Sequence, residues 1–190
     1  MRNQVRPAIV SIAIFTLLTG IFYPLVITGI AQLIFPHQAN GSLIIRKDQV
    51  IGSELIGQQF DDPRYFWGRL SATSPFPYNA AASAGSNFGP MNQALTDQVS
   101  ARIATLKAGD PTNDPPIPAD LVTASGSGLD PNISIAAALY QVRRVATARG
   151  LSEEVVRSLI ESNTQERQFG LLGEPRINVL ELNLAIDEIK

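Results

Sequence analysis

The chain has 190 residues, 15 Lys and Arg against 17 Asp and Glu, one histidine and no cysteine. The lack of cysteine excludes disulfides and thiolate metal sites, and a single histidine leaves almost nothing from which to build a histidine metal centre or a Ser-His triad. A slightly acidic chain without a run of Lys or Arg also lacks the basic surface that nucleic-acid binding requires.

The first element is apolar. No Asp, Glu, Lys or Arg occurs between Arg6 and Arg46, and Ala8 to Phe35 is dominated by Ile, Leu, Val, Phe and Ala. A run of that length predicts a membrane-spanning helix. As a helix it would be roughly 42 Å long against a hydrocarbon core of about 30 Å, so it tilts or lets its Gln32–Phe35 end emerge. A cleaved signal peptide is the alternative, with Arg2 and Arg6 as its basic flank and Gly29-Ile30-Ala31 as its cleavage site. The stretch is too long for that and is interrupted by Pro24, so an uncleaved anchor is the better reading.

Arg2 and Arg6 precede the helix directly, whereas Arg46 and Lys47 lie eleven or more residues beyond Phe35. The positive-inside rule therefore predicts a cytoplasmic N-terminus (residues 1–6), a single transmembrane pass (7–35) and an extracytoplasmic domain (36–190). That domain keeps all 17 acids but loses Arg2 and Arg6 from the 15 bases, which leaves it about four charges negative. Within the span, Ala13, Thr16, Gly20, Pro24 and Thr28 recur every three or four residues. Such a stripe of small residues predicts a helix-packing interface, and Pro24, which cannot donate to the Gly20 carbonyl, predicts a kink.

Beyond the connector the pattern reads as α+β, with short strands and several short helices. Ser42–Ile45 and Val50-Ile51 read as strands separated by Lys47-Asp48. Seven of the aromatics, Phe60, Tyr65, Phe66, Trp67, Phe76, Tyr78 and Phe88, crowd into a Pro- and Gly-rich segment and are expected mostly in the core, with a docking surface as the competing reading. Asn92–Lys107 is a helix by period, with Leu95, Val99, Ile103 and Leu106 on one face, and Asp110–Pro118 is an exposed loop. Ser134 caps a helix that Gly150 closes, Ser152 caps the next, and Asn178–Ile189 carries a third apolar stripe.

One segment could cradle a phosphate. Ser125-Gly126-Ser127-Gly128 can aim backbone N–H groups at an anion shortly before a helix begins, which makes these four residues a candidate nucleotide site. The turn lacks the lysine and spacing of a P-loop and lacks G-x-G-x-x-G, so a structural turn is the stronger reading. The pairs Asp61-Asp62 and Glu153-Glu154 are adjacent in sequence and do not converge on a substrate, so no catalytic set emerges.

Several ordered blocks resemble a known family. Gly20-Ile21-Phe22-Tyr23-Pro24-Leu25, Gln38-Ala39-Asn40-Gly41-Ser42-Leu43-Ile44, Gly52–Gln58, Tyr65-Phe66-Trp67-Gly68-Arg69-Leu70-Ser71-Ala72-Thr73, Tyr78-Asn79, Gly85-Ser86-Asn87, Val122–Asp130, Asn132-Ile133-Ser134 and Asn178–Ala185 succeed one another as in the C subunit (KdpC) of the bacterial Kdp potassium-transporting ATPase. Trp67 and Leu70 depart from it, at positions where His and Pro are commoner. The resemblance implies a non-catalytic accessory subunit of a high-affinity potassium pump in the bacterial plasma (inner) membrane. It implies as partners a potassium-selecting channel-like subunit, a P-type ATPase catalytic subunit and a small single-span subunit. It also implies a catalytic-chaperone role, with no covalently bound cofactor and ATP met through the complex. Direct ATP contact through Ser125–Gly128 is the alternative, and it conflicts with an outward-facing domain.

Overall fold

The computed structural model describes residues 2–189, with side chains from residue 4 to 189. The chain divides into two compact units, Met1–Leu43 and Ile44–Lys190.

In the first unit, α1 (Arg2–Leu17) passes into a π-helical segment, Leu18–Phe22, and then α2 (Tyr23–Ile34), with the short α3 (Pro36–Ala39) after it. Residues Gln4–Ile34 form one helix long and apolar enough to cross a membrane, with mean hydropathy 2.2 and no side chain buried inside the chain. The helical conformation thus begins ahead of the expected boundary at residue 7. The expected break at Pro24 takes the form of the π segment, in which the Tyr23 amide donates to the Leu18 carbonyl one residue further back than in an α-helix. A proline that cannot continue the hydrogen-bond ladder is accommodated by such an inserted residue, and Gly20 lies within it. The inserted residue rotates α2 by about 100° relative to α1. At 100° per residue this sets Pro24 and Thr28 back to within about 20° of Thr16 around the axis, so the small-residue stripe stays on one side of the helix.

The second unit opens with a hairpin of β1 (Leu43–Arg46) and β2 (Gln49–Ser53). Its two-residue loop, Lys47-Asp48, has φ of 50° and 60°, the double left-handed geometry that matches the twist of the flanking strands. An irregular stretch then runs up to α4 (Gln93–Gly109), which Asn92 caps by accepting the Ala94 amide. After the Pro-rich loop, α5 (Ala119–Val122) leads to β3 (Asn132–Ser134), which runs straight into α6 (Ile135–Arg149). The Ser134 hydroxyl caps α6 by accepting the Ala137 amide, and Gly150, at φ 67°, closes it. Ser152 caps α7 (Glu153–Ser162) in the same way. The chain ends with β4 (Thr164–Gln165), β5 (Arg176–Asn178) and α8 (Val179–Ile186).

The larger sheet is antiparallel in the order β3-β5-β4, with Ile133 opposite Ile177 and Thr164 opposite Ile177. Ile133 and Ile177 join Ala138, Val142 and Val145 of α6, Val156 and Ile160 of α7, and Leu182 and Ile186 of α8 in one core. At about 25 cal/mol per Å² of buried apolar surface, that shared face accounts for most of the free energy that holds three short helices together. One expectation changes here. Of the seven clustered aromatics only Phe66 and Trp67 are buried, while Phe76 and Phe88 are exposed. Leu121 and Val122 belong to the single turn α5, after which Ala124 bridges to Leu70 in parallel.

Candidate functional site

The segment from Tyr65 to Gly68 belongs to no sheet, yet Phe66 and Trp67 are among the most deeply buried residues of the chain. In extended backbone, successive amide groups point to opposite sides, so each of the two residues needs a partner of its own. Asn183 of α8 serves Phe66: its side-chain Oδ1 accepts the Phe66 amide at 2.8 Å and its Nδ2 donates to the Phe66 carbonyl at 3.0 Å. Gln141 of α6 serves Trp67, with Oε1 accepting its amide at 2.8 Å and Nε2 donating to its carbonyl at 3.1 Å. Two side-chain amides thus replace the neighbouring strands of a sheet. Nothing in the period of α6 or α8 distinguishes this pair, since a buried Gln or Asn at a core position reads simply as a polar interruption.

The Trp67 ring is covered by cations. The Arg144 guanidinium stacks 3.9 Å from the ring centroid and that of Arg102 lies at 5.5 Å. Arg144 donates to the carbonyls of Pro63 and Tyr65 and to Gln141 Oε1 at 2.6–2.9 Å. Burial, reinforced by the nearby Arg102, lowers Arg144 to about 10. Hydrogen-bonded carbonyls and a π face satisfy the charge here where an acid would be the usual partner.

The Ser125–Gly128 turn lies at the next corner. The Ser125 amide donates to the Leu70 carbonyl, the Gly128 amide to Ser125, and the Leu129 amide to the Ser127 hydroxyl. Its carbonyls are engaged as well: Ser127 O accepts from the Ala84 amide and the Ser83 hydroxyl, and Gly128 O accepts from Ser71 Oγ at 2.6 Å. Gly128 sits at φ 69° with the space for a Cβ filled by Ala84 O at 2.5 Å and Thr73 Cγ2 at 2.7 Å. This is close backbone packing, in which two of the four amides of the candidate site, those of Ser125 and Gly128, are committed to the fold. The next helix, α6, begins only after β3, and its cap is occupied by Ser134.

Beside the turn, Arg69 pairs with Asp130 at 3.1 Å, and both line an open cleft of about 750 Å³ with Asp120, Ser134 and Arg176. The Ser134 amide already donates to Asp120. The cleft mixes both signs of charge, and within its lining the Arg69 Nε is buried without a hydrogen-bond partner among the described residues. The carboxylate pairs stay apart from it. Asp62 pairs with Arg64, whose hydrogen bonds hold its carboxyl down at about 2, and Glu153 pairs with Arg157 one turn along α7. Among the described residues no group of three or more His, Cys, Asp and Glu could hold a metal ion. The candidate residues of the span, Ala13, Thr16, Gly20, Pro24 and Thr28, lie in the first unit and are all exposed.

One membrane-length apolar helix followed by a small α+β unit defines a class, that of the single-span membrane chain with an appended domain. The family model for "K+-transporting ATPase, c chain" matches residues 5–188. The chain is 64% identical over 190 residues to a potassium-transporting ATPase KdpC subunit of Herpetosiphon aurantiacus, covering 100% of this chain and 98% of that protein. It is 58% identical over 190 residues to one of Methylococcus capsulatus, covering 100% of both. A KdpC subunit of Burkholderia cenocepacia is 59% identical over 187 residues, covering 98% of this chain and 97% of its own. The chain belongs to the KdpC family of K+-transporting ATPase subunits, and so is a membrane subunit of a potassium-transport complex.

Proposed function

We propose that this chain is the non-catalytic accessory and assembly subunit of an ATP-driven, high-affinity potassium uptake pump. In this reading it stabilises the complex of a potassium-selecting channel-like subunit, a P-type ATPase catalytic subunit and a small single-span subunit. Its effect on ATP use, as a catalytic chaperone, travels through the assembled complex as a shift in a conformational equilibrium, for which direct contact with the nucleotide is unnecessary. The N-terminus lies in the cytoplasm and the α+β unit outside, a placement supported by Arg2 and Arg6 ahead of the span.

The observation that carries the choice between coupling and contact is the state of the Ser125–Gly128 turn, whose Ser125 and Gly128 amides and Ser127 and Gly128 carbonyls are hydrogen-bonded within the fold. Gly126 is exposed with nothing within 4 Å of an added Cβ, so Gly126→Leu fits the fold and would obstruct a phosphate held there. In the purified pump, Gly126→Leu is expected to leave KM for ATP within twofold of the parent. A rise above fivefold in an intact complex would establish direct contact. Orientation is tested separately: a cysteine at Thr112 should react with a membrane-impermeant thiol reagent on intact cells, and one at Asn3 only after permeabilisation.

A further inference from the structure

Residues 163–177 show no clear period or motif in the sequence, yet they hold the most conspicuous surface of the second unit. Between β4 and β5 the chain projects as a tight loop in which the amides of Gln168 and Leu172 each donate to the other's carbonyl at 2.9 Å. Its end presents Phe169, Leu171 and Leu172 at 84%, 80% and 60% exposure. Phe169 is held at φ 56°, with Gly170 at 73° and Gly173 at 77° after it. A bulky ring in the left-handed region is a strained choice at a tip that buries nothing, and such strain concentrates at functional surfaces. Large apolar side chains gathered on one exposed element mark a contact with something else.

We infer that this loop is a docking finger, which inserts Phe169, Leu171 and Leu172 into an apolar recess on another protein subunit of the same potassium pump. The inference rests on the accessory-subunit reading given under Proposed function. Charge selects protein over lipid. The neck is closed by an Arg167–Glu174 ion pair at 2.5 Å, and the flanking Glu166 and Arg176 also cancel, so the finger carries no net charge. It projects from a domain about four charges negative. A loop that enters bilayers is drawn there by a surrounding ring of Lys and Arg, and an acidic domain is repelled by anionic headgroups. An uncharged recess in a protein suits the finger without that cost.

The apolar surface also continues past the finger. Leu55, exposed, shares a shallow depression with Gln165 and Arg176 at the finger's root. Ile45, Val50 and Ile51 extend exposed apolar surface along the β1–β2 hairpin that leads to Leu55. A rigid aromatic anchor at one end of a broader apolar face is how binding energy concentrates in few residues.

The test uses the whole pump in its native membrane, with p-benzoylphenylalanine placed at Phe169 and, as a control, at Val155 on α7. Irradiation is expected to join position 169, and not 155, to another subunit of the pump, identified by the mass of the linked peptide. Linkage only to lipid, only to a second copy of this chain, or to nothing while the pump still co-purifies, would overturn the finger and leave the accessory reading standing. Failure of the unmodified chain to co-purify with the ATPase subunits would overturn both. As a second measurement, the Phe169→Ser, Leu171→Ser double variant should lose at least tenfold in retention by the pump while its own thermal unfolding is unchanged. Full retention would count against the inference.

Discussion

Residues 65–68 and residues 167–173 are both short stretches outside regular strands, each with large apolar side chains and backbone groups to satisfy. In the first, Phe66 and Trp67 are buried and their backbones are matched by Asn183 and Gln141, side chains more than 70 residues away in sequence. In the second, Gln168 and Leu172 satisfy each other locally and the apolar side chains are left outside. A buried strand without a sheet depends on distant partners and makes the fold cooperative. A self-satisfied loop depends on nothing beyond itself and is free to present side chains to a partner. The difference predicts that damage to the first appears as lost stability and damage to the second as lost assembly.

The largest effect is expected from the clamp. Asn183→Leu keeps the volume but strips the partner from the buried Phe66 amide and carbonyl. Each orphaned group costs about 1–3 kcal/mol, so a total near 3 kcal/mol is expected. At about 2–4 °C per kcal/mol for a unit of this size, Tm should fall by roughly 9 °C. Trp67 is the only tryptophan in the chain and lies beside the clamp, so its fluorescence reports the transition directly. A loss under about 1 kcal/mol would mean that water or a neighbour replaces Asn183, and the contrast between the two stretches would fail.

A second effect separates two readings of the glycine-serine turn. Gly128→Ala places a Cβ 2.5 Å from Ala84 O at φ 69°, whereas Gly126→Ala meets nothing within 4 Å. The first should cost about 2 kcal/mol and the second less than about 0.5 kcal/mol, measured by urea unfolding followed at Trp67. Equal effects would remove the case that close packing is what the turn is for.

Much of this architecture was legible in residue order. The apolar span, the Lys47-Asp48 turn, the Ser134 and Ser152 caps and the stop at Gly150 all arise from local chemistry, which neighbouring residues carry. Membership of the potassium-ATPase subunit family was legible as well, because its blocks run the length of the chain. The Phe66–Trp67 clamp was not, because its two halves are separated by 74 and 117 residues and only the fold brings them together. The π segment escaped because a proline signals a broken ladder without saying how the helix repairs it. The hairpin at 164–178 escaped because its strands are two and three residues long, too short to show a period of two.

A third prediction concerns pH. Burial raises the Tyr78 phenol to about 12, against an ordinary value of 10, and its hydroxyl donates to the Arg69 carbonyl. Because the folded form holds this proton more tightly than the unfolded one, its contribution is fully present below pH 10 and is lost as pH rises towards 12. The urea midpoint should fall between about pH 9.5 and 11.5, and should fall less steeply in Tyr78→Phe. Parallel profiles would show that Tyr78 ionises freely, and the packing of residues 69–79 would be looser than is implied by Ser71 Oγ, which accepts the Tyr78 amide at 2.9 Å and lies 3.0 Å from Thr73 Oγ1.

The smallest effect on stability has the sharpest meaning. Phe169 contributes no burial and holds a left-handed backbone that asparagine tolerates several-fold better than other non-glycine residues. Phe169→Asn is therefore expected to leave the purified chain unchanged or more stable, by up to about 1 kcal/mol, in the same Trp67 unfolding assay. The same substitution should weaken retention of the chain by the pump, because the ring it removes is the anchor. A residue whose replacement stabilises the free chain and harms the assembled complex is kept for the complex. Destabilisation by more than about 1 kcal/mol would instead place the ring against the fold, and the second stretch would then be a piece of core like the first.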